Sequence, residues 1–209
     1  MAESRRGPFH DRERSEKALI DATRRLIARN GFKKLGVNAV AREACLDKVL
    51  IYRYFDGLDG LIRAFGKSTD FWPTADEIFR GAVEGGDRHH FVGRMMVAYL
   101  RAVRARPLTL EILAWEMADR TSLVEILEGA RESLGQELMG RAITEHGIVI
   151  EGTDIAAVTG LMAAGIHYIT VRSRFIDGFN GIALDEDGWR RYESALLLIF
   201  DRLLGAEPE

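Results

Sequence analysis

The stretch Val37 to Phe55, VNAVAREACLDKVLIYRYF, constrains this chain more than any other. It reads as two short helices with a tight break between them. The first carries Val37, Val40, Ala41 and Ala44 at one-face spacing. The second turns Leu46, Ile51 and Phe55 inward. Between those inward positions lie Lys48, Leu50, Tyr52, Arg53 and Tyr54, cationic and phenolic side chains with one outward aliphatic. A helix with a narrow apolar seam and an outer face of this kind suits a DNA major groove. The seam docks it on a scaffold, and the outer face offers charge to phosphates and contacts to base edges.

On these residues the segment resembles the helix-turn-helix of the TetR family of transcriptional regulators. The pattern runs Ala44-Cys45-Leu46-Asp47-Lys48 through the turn, then Ile51-Tyr52-Arg53-Tyr54-Phe55. The likeness extends from about Glu13 to about Phe65, roughly a quarter of the chain. It implies that Lys48, Tyr52 and Tyr54 contact DNA, Lys48 through a phosphate or a guanine edge and the two phenols through phosphates. Leu50, read as outward, is placed to touch a thymine methyl, and Arg53 to pair with phosphate. Asn38 can donate to phosphate beside a helix N-terminus. Arg42 either does the same or pairs with a nearby acid.

Four positions depart from the family pattern. Cys45 stands where the family has Gly, at a site where positive φ is easy. Gly36 and Asn38 replace the Thr or Ser that opens the first helix, and Leu58 replaces a phosphate-contacting Lys. The phosphate clamp is therefore either weaker than usual or moved to the N-terminal arm.

Charge is distributed to match. Residues 1–67 hold 15 Lys and Arg against 9 Asp and Glu, a net +6, while the rest of the chain carries −9. A basic end on an acidic body suits one end facing a polyanion. The single cysteine excludes an internal disulfide and fits a reducing cytoplasm. The N-terminus lacks an apolar signal-peptide core. The longest apolar run, near Ile155 to Val171, is interrupted by Thr159, His167 and Thr170, so a buried helix is expected there rather than a membrane span.

In chain order, residues 1–11 read as a flexible arm and residues 12–66 as the DNA-binding domain. Its first helix is expected over Arg12–Asn30, with Ala18, Leu19, Ala22 and Leu26 inward and Gly31 as its cap. The next two are expected over Val37–Ala44 and Lys48–Phe55, the latter capped by Asp47. A fourth starts near Gly57 and turns Leu61, Ile62 and Phe65 inward. Pro73 interrupts it, so Trp72-Pro73 marks the entry to a helical body over 67–209. Body helices are expected over Asp87–Ala105, Pro107–Ala118, Leu123–His146, Asp154–Phe175 and Asp187–Leu204, with 177–186 a loop. The fold expected is all-α with about nine helices.

The body is expected to hold a mostly apolar small-molecule site lined by Met95, Tyr99, Leu113, Trp115, Met117, Met162, His167 and Tyr168. Ala156, Ala157, Gly160, Ala163, Ala164 and Gly165 leave room for a close helix partner. With the last helix they suit a two-fold four-helix interface, the dimerisation that the resemblance also implies. A dimer places two heads on a near-palindromic operator.

Enzyme chemistry finds no foothold. There is no Gly-rich phosphate loop, no G-x-S-x-G and no H-E-x-x-H, and the adjacent His89-His90 make a poor metal pair. No cofactor or metal is expected. Two readings remain at this level: a cytoplasmic, dimeric repressor released from DNA by a ligand, and a helical small-molecule-binding protein whose head has lost DNA affinity. The steep salt dependence of phosphate contacts separates them.

Overall fold

A computed structural model describes residues 8–67, 72–86, 90–116, 122–148 and 154–204. Among them are ten α-helices, one more than expected, a 3-10 turn and one small β-hairpin. The chain divides into two compact units, Met1–Phe71 with Ala114–Ala130, and Trp72–Leu113 with Arg131–Glu209.

The first unit contains α1 (Pro8–Asn30), a 3-10 turn (Phe32–Lys34), α2 (Val37–Ala44), α3 (Val49–Phe55) and α4 (Leu58–Gly66). Residues 8–11, expected in a flexible arm, form the first turn of α1. Proline suits that position because the first helical N–H needs no partner inside the helix. Leu19, Ala22 and Leu26 of α1 close on Val40 and Ala41 of α2, Ile51 of α3 and Leu61 of α4 as one buried core. Two close approaches fix its geometry. At Gly60 a Cβ would lie 1.6 Å from the carbonyl oxygen of Phe55, so α4 can start against the end of α3 only with glycine there. At Gly31, with φ of +63°, a Cβ would fall 2.4 Å from the indole of Trp115.

The second unit is built around α6 (Phe91–Arg104), buried at every position from Phe91 to Leu100. On it pack α5 (Ala75–Glu84), α9 (Ile155–Arg172) and α10 (Glu186–Leu204). The additional helix is α5. Thr74 caps it, its hydroxyl oxygen accepting from the Glu77 N–H at 3.2 Å, and Ala75, Ile78, Phe79 and Ala82 form its buried stripe. Helices α7 (Pro107–Glu116) and α8 (Ser122–His146) follow α6 in the chain. The end of α8 is held by His146, whose ring stacks on Phe91 with centroids 3.8 Å apart.

Residues 177–186, expected as a loop, contain strands β1 (Gly178–Phe179) and β2 (Ile182–Ala183), paired antiparallel. Asn180 and Gly181 join them with φ of 51° and 75°. Two successive positive φ values make the type I′ turn whose twist matches a hairpin. Helix α9 also differs from expectation. Only 22% of it is buried, its outward face carrying Ala156, Ala157, Gly160, Leu161, Ala164, Gly165 and Tyr168. Among the described residues it is the helix long and apolar enough to cross a membrane by length and composition.

Candidate nucleic-acid interface

The turn between α2 and α3 sets the direction of α3. Cys45 adopts the left-handed conformation, with φ of 55° and ψ of 38°. Its N–H reaches the Arg42 carbonyl at 3.2 Å, while the Leu46 N–H reaches the Ala41 carbonyl at 3.0 Å. Those two bonds define a Schellman cap, so Cys45 takes a glycine's place with a glycine's backbone. Leu46 then returns to the core. Asp47 follows, and its Oδ1 accepts from the Val49 N–H at 2.8 Å. Its carboxylate is thereby committed to starting α3, as expected, although the helix begins at Val49 rather than Lys48.

Burial fixes the rotational phase of α3. Ile51 is buried, and Leu50, Tyr54 and Phe55 pack half-buried against the core. The outward face is Val49, Tyr52 and Arg53, at i, i+3 and i+4, with Lys48 at the end of the turn. Tyr52 is 58% exposed and Val49 51%. Leu50, expected to point outward, therefore points to the scaffold, one residue or about 100° away from the exposed face. Tyr54 is also a packing residue. The Arg12 guanidinium sits 5.3 Å from its ring centre, and Phe55 meets its ring edge-on at 6.5 Å.

Asn38 and Arg42 are exposed on α2, and Arg42 has no ion pair among the described residues. The acid near it, Glu43, is taken by α1. Arg25 donates to it at 2.8 Å and Arg29 also bonds it, and these hydrogen bonds hold its carboxyl below the usual range. Arg25 and Arg29 thus brace α2 against α1, while Lys48, Arg42 and Arg53 stay available. Gly36, at the start of α2, is extended and supplies no side-chain cap. Leu58 packs half-buried on the head core.

The residues expected to line one small-molecule site separate. Met95, Tyr99 and Leu113 are buried in the second unit and Met162 is half-buried. The Tyr99 hydroxyl lies 2.6 Å from His167 Nε2, and Trp72, not foreseen as part of the group, packs edge-on against both rings. Burial, assisted by the charge of Arg131, pulls His167 down to about 4. Tyr168 instead faces outward, 45% exposed, with its ring edge-on to Phe179. Trp115 lies against Gly31 in the first unit, and Met117 is outside the described residues. A surface cleft of about 520 Å³, lined by Arg101, Arg104, Trp189, Glu186 and Glu193 among others, is highly charged. Its Arg101–Glu193 and Arg104–Glu186 pairs make it no match for an apolar ligand.

Comparison with known proteins fits this geometry. The family profile described as bacterial regulatory proteins, tetR family, matches residues 19–65. Over 129 residues, 60% of this chain, the sequence is 29% identical to the HTH-type transcriptional repressor KstR of Mycolicibacterium smegmatis and 30% identical to that of Mycobacterium tuberculosis. The match spans 62% and 57% of the length of those two relatives. The fold resembles a TetR family regulator from Marinobacter aquaeolei (TM-score 0.61, 18% identity, 90% of this chain and 96% of that one). It also resembles the fatty acid degradation regulator FadR of Bacillus halodurans (TM-score 0.62, 15% identity, 99% and 100%). The helix-turn-helix pattern and its Schellman turn lie within residues 19–65, which match the tetR family of bacterial regulatory proteins, and the chain as a whole is similar in fold to TetR family regulators.

Proposed function

We propose that this protein is a cytoplasmic, dimeric repressor that binds a near-palindromic DNA operator and is released from it by a small, mostly apolar molecule. The observation that carries the DNA-binding part is the outward face of α3. Lys48, Val49, Tyr52 and Arg53 project from a helix seated on a packed core, next to the exposed Asn38 and Arg42 of α2. Charge for phosphates and side chains for base edges stand together on an element of major-groove width. The two curated relatives named as repressors support the direction of regulation.

The outward apolar face of α9, with Leu161 70% exposed, and the exposed Leu198, Ile199 and Leu203 of α10 support a two-fold interface with a second copy. For the effector, the Trp72–Tyr99–His167 cluster offers an aromatic wall with a neutral hydrogen-bonding pair. A ligand favouring one body conformer would shift the population toward dimers whose heads no longer match both half-sites.

The test is iterative selection from randomised DNA with the native protein, Lys48→Ala and Tyr52→Ala. Enrichment of a near-palindrome by the native protein, lost in both variants, is the expected result. A folded dimer that enriches nothing at low salt overturns the proposal and leaves small-molecule binding as the function to pursue.

A further inference from the structure

We propose that Val49 reads one thymine in each operator half-site by packing on its C5-methyl group, an inference that rests on the DNA-binding role above. Val49 is the first residue of α3 and lies at the centre of its exposed face, with Tyr52 one turn on and Arg53 beside it. Half of its surface is open to solvent although every other aliphatic side chain of α3 is at least partly covered by the head core.

Among the described residues of the head, nothing accounts for a valine at this position. It contributes nothing to the core cluster. Its branched side chain is a poorer helix former than alanine or glutamate, residues that suit a solvated first turn. Its backbone N–H is engaged by Asp47, a bond that any non-proline residue would make equally well. What remains is the outward side chain, a small rigid pair of methyls flanked by the cation of Lys48 and the phenol of Tyr52. The major-groove edge of B-DNA carries one methyl group, that of thymine, among hydrogen-bonding atoms. An apolar tip among polar neighbours complements a thymine methyl among polar base edges. Leu50, the other aliphatic of this turn, cannot take the role because it is turned about 100° toward the core.

The experiment uses the full chain and the operator obtained by selection. Each thymine is replaced in turn by deoxyuridine, which removes the methyl and leaves base pairing unchanged. Affinity is measured for the native protein, Val49→Ala and Leu50→Ala, each first shown to melt cooperatively. The native protein is expected to lose about fourfold for one deoxyuridine position in each half-site, the worth of one buried methyl. Val49→Ala should bind the thymine operator more weakly and show no further loss with deoxyuridine, whereas Leu50→Ala should keep the methyl dependence. An operator whose affinity is indifferent to every deoxyuridine, or a penalty that persists in Val49→Ala, overturns the inference and leaves the DNA-binding role standing. Failure to select any operator removes both.

Discussion

The Tyr99 hydroxyl lies 2.6 Å from Nε2 of His167, and Trp72 covers both rings. A neutral Nε2 can accept the phenolic proton at that distance, whereas an imidazolium could only donate, and it would carry its charge into an enclosed aromatic site. Burial holds His167 at about 4 instead of 6.5. The unfolded chain therefore takes up a proton near 6.5 that the folded chain refuses until about 4. Stability is full above 6.5 and is lost as pH falls through that window, by an amount on the order of 3 kcal/mol. Urea unfolding at a series of pH values should show this acid limb, and His167→Gln should flatten it between pH 6.5 and 4 relative to the native protein.

Cys45 occupies a left-handed cap that costs a side-chain-bearing residue about 1 kcal/mol. Its side chain is exposed and contributes nothing to the head core. Cys45→Gly should therefore raise the stability of the first unit by about 1 kcal/mol while leaving operator affinity within about twofold. An upward shift of the denaturant midpoint at unchanged slope would show it; a downward shift would mean that the thiol makes a contact the backbone geometry does not require.

Gly60 behaves in the opposite sense. A Cβ there meets the Phe55 carbonyl at 1.6 Å, and neither partner is a flexible side-chain end that can swing aside. Gly60→Ala must push α4 away from the end of α3. The expected cost is more than about 2 kcal/mol, with a matching loss of DNA affinity, although alanine is the better helix former in open positions. Thermal melts of the two proteins decide it.

Lys48 and Tyr52 share the exposed face of α3 and should be distinguishable by salt. Lys48→Ala removes a cation, so the slope of log K against log salt should shrink by about 1 for each head that touches a phosphate. Tyr52→Phe removes only a hydroxyl and should lower affinity with the slope unchanged. Fluorescence anisotropy on the selected operator at several salt concentrations measures both.

The head was legible in the sequence because its pattern is local. The turn residues Ala44 to Asp47, the inward Ile51 and the basic outer face all follow from spacing within one stretch. What was not legible is the phase of α3. Leu50 and Val49 are adjacent aliphatics, and only the seating of Ile51, Tyr54 and Phe55 against α1 and α4 determines which of them turns outward. Two other features carried signals that went unread. Thr74-x-x-Glu77 ahead of an i, i+3, i+4, i+7 apolar stripe announces α5, and Asn180-Gly181 between Phe179 and Ile182 is the strongest short hairpin signal there is. Trp115 and Tyr168 could not be placed from sequence, because an aromatic side chain on an apolar helix suits a pocket, a core or a subunit interface equally well. Long-range packing alone puts one against Gly31 and the other beside Phe179.

Leu161 tests the proposed two-fold interface on α9. It is 70% exposed, and Gly160, Ala164 and Gly165 beside it offer almost no side-chain bulk, so a facing helix can approach to backbone distance. In a two-fold pairing the same residue enters the contact from both copies, and Leu161→Glu would then set two carboxylates in an apolar seam. Within one chain the substitution touches no buried contact and should leave helix content intact. The expected result is a chain of unchanged circular dichroism whose mass by light scattering falls from that of two chains to that of one, with operator binding weakened because two heads no longer act together. A variant that keeps the dimeric mass would place the interface elsewhere than the outward face of α9.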